Sequence, residues 1–275
     1  MTIIDDLLRA AIAADHRTLT LPPAFQGLPA AAHGGSVLAA FDALSGLRGA
    51  REIRGLYRKR VPLGAALALD VAPGGPGIRW RLRDATDGVL VEGHVRPARD
   101  GHRAVATPVP ARTPLPVSYS CLACGTRNPA GLRARLHADE RSVGARWTPP
   151  DSFRAADGGL TPLALTTLLD ETAFWLGALA SGESGMTTDL RVTLGQALPF
   201  GPVVVAGARA CVRPRPDDPR YWDTEVVARD EAGRVLAAGR ITFVAVRGAA
   251  RRLVTGMLAM NPPEIVRAAF PAYAR

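Results

Sequence analysis

Cysteine is scarce in this chain: Cys121, Cys124 and Cys211 among 275 residues cannot build a disulfide framework. Lysine is scarcer, since Lys59 is the only one among 34 basic residues and the rest are arginines spread through every segment. The formal charge is still +9, a balance that raises nucleic acid, an anionic membrane or a phosphate-bearing ligand. Electrostatic binding of nucleic acid needs clustered charge, so scattered arginines read as a generally basic surface and no nucleic-acid partner is expected. No secretory leader is expected either, because Met1-Thr2-Ile3-Ile4-Asp5-Asp6-Leu7-Leu8 carries two acids where a signal peptide needs basic residues. No later apolar run reaches the ~18 residues of a membrane span, so a cytoplasmic protein without a span is expected. With aromatic residues at 5%, the core must be built from Ala, Val and Leu; 47% hydrophobic residues make it large enough for one large domain or two small ones.

Glycine (28) and proline (23) are plentiful, which implies many turns. The turns punctuate a weak internal repeat. The first copy runs from Phe25-Gln26-Gly27 through a helix-like run ending at Asp42-Ala43-Leu44, then Val61-Pro62-Leu63-Gly64, then Asp84 to Gly88 and Val89-Leu90-Val91-Glu92-Gly93. The second runs from Phe153-Arg154 through Gly158-Gly159 and a run ending at Asp170-Glu171-Thr172, then Leu198-Pro199-Phe200-Gly201, then Asp230 to Gly233 and Val235-Leu236-Ala237-Ala238-Gly239. Residues 98–118 are proline-rich and read as a linker. The expected division is therefore 1–97, the linker 98–118, 119–250, and a tail 251–275. The tail carries a short helix capped by Asn261 and reads as a packing accessory.

Each copy reads as one helix followed by strands. Leu163 to Leu179 keeps apolar residues on most faces, as a helix buried under a sheet does. Alternation then marks strands at 190–194, 203–212, 221–228 and 235–246, joined in antiparallel fashion by Pro, Gly and Asp turns. Ahead of the helix, 131–136 and 142–147 read as a hairpin about Asp139-Glu140. The fold class is α+β.

The most informative stretch is Ala32-His33-Gly34-Gly35-Ser36-Val37, which opens a helix carrying Asp42 nine residues after His33. Gly-Gly at a helix start bares backbone N–H groups at the positive end of the helix dipole, where a developing oxyanion is stabilised. A shielded carboxylate nearby can serve as general base or nucleophile. The second helix places Asp170 nine residues after Thr161-Pro162-Leu163, and the segment before it reads Cys121-Leu122-Ala123-Cys124-Gly125-Thr126-Arg127-Asn128-Pro129-Ala130-Gly131-Leu132. These stretches resemble the hotdog-fold acyl-CoA thioesterases of the 4-hydroxybenzoyl-CoA and phenylacetyl-CoA type. The resemblance implies a tandem hotdog: two long helices, each wrapped by an antiparallel sheet, with the sheets joined as a pseudo-dimer. A homodimer of such chains is a further assembly it allows.

The family draws the two parts of its site from different protomers, which in a fused chain implies His33, Gly34 and Gly35 of one copy facing Asp170 of the other. Thr188 then lies where some relatives carry a hydroxyl that orients the acid. The opposite pair, Asp42 with Thr161-Pro162-Leu163, is expected to be dead, because Pro162 has no N–H to donate and Leu163 restores a Cβ. Asp170 is preferred to Glu171 because neighbours on a helix diverge by about 100°, so only one should face a cleft. Cys121 and Cys124 find no further Cys pair or His cluster at short spacing, so no metal is expected. His16, His94, His102 and His137 read as surface or loop residues. Arg54, Arg58 and Arg60 alternate after the first helix and are candidates for the phosphates of coenzyme A, the only cofactor-like group implied and part of the substrate. The expected activity is hydrolysis of an acyl-CoA thioester, or less favourably an acyl-carrier-protein thioester. The alternatives are a non-catalytic acyl-CoA-binding or sensing protein and, more weakly, a hotdog hydratase.

Overall fold

The computed structural model describes residues 4–98, 107, 109 and 113–273. The chain forms α1 (Ile4–Ala10), β1 (Thr18–Leu19), α2 (Gly34–Ser45), β2 (Arg51–Tyr57), β3 (Leu67–Gly74), β4 (Gly77–Arg83) and β5 (Val89–Pro97). Then come β6 (Thr113–Pro114), β7 (His137–Ala138), β8 (Ser142–Trp147), α3 (Pro162–Ser181), β9 (Gly185–Leu194), β10 (Val203–Ala208) and β11 (Arg213–Pro214). The chain closes with β12 (Tyr221–Arg229), β13 (Val235–Ala245), α4 (Ala249–Leu258) and α5 (Pro263–Ala269). Among the described residues all thirteen strands belong to one antiparallel sheet in the order β1-β3-β4-β5-β2-β9-β13-β12-β10-β8-β7-β6, with β11 beside β12.

At the centre β2 pairs with β9, from Arg51 opposite Leu194 to Leu56 opposite Asp189. Strands of the first sequence copy lie on one side of this seam and strands of the second on the other. α2 packs on β2, β4, β5 and β9, α3 packs on β8, β9, β10, β12 and β13, and the two helices meet. α2 stops at Gly46 (φ 64°) and α3 at Gly182 (φ 70°), left-handed caps that glycine adopts without strain. α3 starts with Pro162, whose missing N–H would have no partner in a first turn anyway.

α3 is buried all round, with Leu163 to Ala173 continuously inside, which fits a helix apolar on every face. It is long and apolar enough by composition to cross a membrane, contrary to the expectation that no segment reaches that length, and 83% of its apolar window lies inside the fold.

Several boundaries differ from the sequence reading. Residues 131–136 are not a strand; the stretch ahead of β8 pairs with it only through the two residues of β7, because Leu132 and Ala134 bond back to Leu122 and Ala123 instead. Of the linker, Thr113–Pro114 is already strand, paired with β7, while most of 99–112, His102 included, lies outside the described residues. α1 and α4 were not anticipated.

Candidate active site

His33 caps α2, and its backbone is fixed by a bond from its N–H to Phe25 O at 2.8 Å. The glycines after it answer to steric need. A Cβ at Gly34 would meet Asp170 Oδ2 at 2.7 Å, and one at Gly35 would meet the Thr166 carbonyl oxygen at 2.5 Å. Gly34 thus admits the carboxylate of α3, and Gly35 admits the α3 backbone. Tyr57, on β2, donates its hydroxyl to Gly34 O at 2.6 Å. That bond orients the peptide shared by the two glycines, turning the Gly35 N–H the other way, to Asp170 Oδ2 at 3.0 Å.

His33 lies between two buried acids. Its Nδ1 is 3.2 Å from Asp170 Oδ2 and its Nε2 is 3.4 Å from Glu171 Oε2. Burial works against a charged imidazole, but the two carboxylates overcome it and push His33 up to about 10. A protonated ring has no lone pair at Nδ1, so although Gly35 N is also 3.2 Å from that atom, the Gly35 N–H belongs to Asp170 and His33 donates to the same oxygen. Thr187 donates to the other oxygen, Oδ1, at 2.6 Å. Burial opposes ionisation of Asp170, yet His33, Thr187 and the Gly35 N–H together hold it below the usual carboxylate range. Burial and the nearby Asp170 and Asp189 charges keep the Tyr57 phenol protonated.

These groups line a cavity of about 310 Å³, walled by both halves of the sheet and by the segment ahead of β7. Asn128 holds that segment, donating to Ala24 O at 2.8 Å and Ser120 O at 3.0 Å. Cys121 thereby reaches the cavity, its Sγ 3.9 Å from Glu171 Oε2. Trp175 Nε1 donates to Glu171 Oε1 at 3.2 Å. α4 closes another side with Arg252, Leu253, Gly256 and Met257. The tail is therefore part of the site, not the packing accessory expected.

Among the expected residues, the structure brings His33, Gly34, Gly35 and Asp170 together across the two halves. Thr188 is not among them. The β9–β13 register jumps between Asp189 opposite Thr242 and Thr187 opposite Phe243, leaving Thr188 as the bulged residue. Thr188 donates to Thr242 O at 3.2 Å, and Thr187 points at Asp170 instead. Glu171 faces the site as well as Asp170, since a helix buried on all sides has no outward face to turn it to.

The three arginines also separate. Arg54 is spent on Asp189, with both carboxylate oxygens bonded at 3.0 and 2.7 Å. Arg58 and Arg60 lie past the end of β2 and share no strand face with Arg54; Arg58 pairs with Glu92 at 3.0 Å. Arg60 lines the cavity beside Lys59 and Arg252. Tyr57, Cys121, Glu171, Trp175, Thr187 and α4 carry the parts of the site that sequence reasoning missed. Glu171 was weighed against Asp170 and set aside, and Cys121 was noted only within the Cys121 to Leu132 stretch.

The equivalent place in the other half is shut. Asp42 Oδ1 and Oδ2 accept from Arg51 at 2.5 and 2.6 Å, both side chains buried. Burial pushes the Asp42 carboxyl up and Arg51 opposes it. α1 lies against this pocket, where Thr161 bonds Asp5, and the space left is about 110 Å³.

Solved structures share this architecture over most of the chain. A candidate thioesterase II from Thermobifida fusca superposes with a TM-score of 0.61 at 16% identity, over 90% of this chain and 98% of its own. A hotdog-fold protein of unknown function from Alicyclobacillus acidocaldarius gives 0.58 at 12% identity, over 90% and 98%. The GphF dehydratase gives 0.54 at 16% identity, over 83% and 93%. No protein-family model and no curated protein matches the sequence. The chain has the hotdog fold, one that serves more than one chemistry.

Proposed function

We propose that this chain is a double hotdog that hydrolyses an acyl thioester at one site between its halves, with coenzyme A favoured over acyl carrier protein as the carrier. The observation that carries the reading is the Asp170 carboxylate of α3, ionised and buried, held at the bare N-terminus of α2 on a cavity wall. Asp170 is the base or nucleophile. Gly34 N–H, which has no acceptor among the described residues, is the donor left for the thioester carbonyl, and charge developing on that oxygen meets the positive end of α2. His33 keeps Asp170 in place and offsets its charge. Arg60 and Arg252 have no acidic partner among the described residues and suit the phosphates of the carrier. The second pocket takes no part, since Pro162 offers no N–H and Arg51 neutralises Asp42.

One observation favours the binding-protein alternative: Asp170 already accepts from Gly35, Thr187 and His33, a set that steadies a carboxylate and lowers its basicity. The test is thiol release from short, medium, long and aromatic acyl-CoAs by wild type and Asp170→Asn. Hydrolysis in wild type that falls by about 10²–10⁴-fold in the variant supports the enzyme. Tight acyl-CoA binding without turnover in either protein replaces it with the binding protein.

A further inference from the structure

Three side chains from three separate segments converge on the cavity wall: His33 Nε2, Cys121 Sγ and Glu171 Oε2 lie within 4.8 Å of one another, all buried. We propose that they form a zinc site with its fourth position open to the cavity. In a tetrahedral zinc centre, bonds of ~2.0–2.3 Å set the N-to-O edge at about 3.4 Å and the S-to-O edge at about 3.6 Å. The observed His33–Glu171 and Cys121–Glu171 separations are 3.4 and 3.9 Å. The His33–Cys121 edge is no longer than 4.8 Å, so closing it to a tetrahedral N-to-S edge takes at most about 1 Å, within reach of a side-chain rotation.

The surroundings suit a metal at least as well as the three donors do. Asp170 Oδ2 lies 3.2 Å from His33 Nδ1, on the ring nitrogen that would not bind the ion. It can accept the Nδ1 proton and fix the tautomer that presents Nε2, as carboxylates do behind zinc-bound histidines. Trp175 Nε1 donates to the Glu171 oxygen that is not used, at 3.2 Å. The Ala123 N–H lies 3.3 Å from Cys121 Sγ, a backbone donor placed to support a thiolate. Neutral His33, the Cys121 thiolate and the Glu171 carboxylate together carry the charge that balances a divalent cation. On binding, the ion displaces the Nε2 proton of His33 and the thiol proton of Cys121, both released to solvent.

One ligand, His33, also holds Asp170 in the thioester reading, but the test of the zinc site involves no turnover, so the two assignments can fail separately. The probe is zinc chloride, titrated into chelator-stripped full-length protein against a chromophoric chelator. One zinc per chain is expected, with affinity lowered about 100-fold or more in Cys121→Ser and in Glu171→Gln and unchanged in Cys211→Ser. Cobalt in the same site should show a thiolate charge-transfer band that Cys121→Ser removes. A wild-type measurement guards against misfolded variants: zinc should slow alkylation of Cys121 and leave that of Cys211, which is exposed, unaffected. Absence of stoichiometric binding, binding that survives either ligand substitution, or equal alkylation rates with and without zinc would overturn the site.

Discussion

At the scale of single residues, the two glycines after His33 do different work, and substitution separates them. A methyl at Gly35 strikes backbone, with Thr166 O at 2.5 Å and Thr167 Cα at 2.7 Å. α2 and α3 cannot part there without losing the Thr166 hydroxyl bond to Gly35 O, 2.8 Å long. Gly35→Ala should therefore cost about 1–3 kcal/mol of stability, read from the urea midpoint. A methyl at Gly34 strikes only the end of a side chain, Asp170 Oδ2. Gly34→Ala should leave the midpoint nearly unchanged and lower turnover about 10²-fold, because the carboxylate must swing away. Equal losses of stability in the two variants would show that the glycines serve packing alone. His33, the glycines and Asp170 were legible in the sequence because a helix start and an acid nine residues along a helix are local patterns. Glu171 was not. The argument that neighbouring helical residues diverge assumes an outward face, and α3 has none.

Elements account for the rest of what sequence reading missed. Thr187 takes the place expected of Thr188 because a bulge in β9 slips the register by one residue, and the periodicity of a strand cannot reveal where its partner inserts a slip. α4 escaped notice because its cavity-facing residues, Leu253, Gly256 and Met257, are too few to stand out among arginines. Yet this helix offers a direct handle on the acyl group. A Cβ at Gly256 would meet nothing within 4 Å, so Gly256→Leu should fold normally and fill part of the cavity. Turnover should fall for the longest acyl chains while the shortest keep wild-type rates, read from a chain-length series; a uniform loss would place the acyl group elsewhere. On the opposite half, Asp42→Asn leaves Arg51, 6% exposed, without its charge partner. That should cost about 3–5 kcal/mol, with much of it regained in Asp42→Leu/Arg51→Met. Activity per folded molecule should hold in both variants, measured well below the melting temperature, if the second pocket is silent.

For the molecule as a whole, one sheet continuous through β2 and β9 joins the strands on either side of that seam into a single body, and helices near the two ends of the chain cover different pockets. α1 lies against one pocket, and α4 forms a wall of the other. The formal charge of +9 then acquires a direction. Most basic residues near the seam are paired, as Arg51 is with Asp42 and Arg54 with Asp189, whereas Arg60 and Arg252 both line the cavity. Charges so placed raise the encounter rate of an anionic carrier, and salt screens them as the Debye length falls from ~30 Å at 0.01 M to ~8 Å at 0.15 M. kcat/KM for an acyl-CoA should therefore drop about tenfold over that range. The same acyl group on N-acetylcysteamine, which has no phosphates, should show almost no change. Arg252→Ala should flatten the salt dependence for the CoA substrate and leave the N-acetylcysteamine series as it was. Parallel salt curves for the two thioesters would mean that the phosphates never reach this mouth and that the carrier is recognised elsewhere.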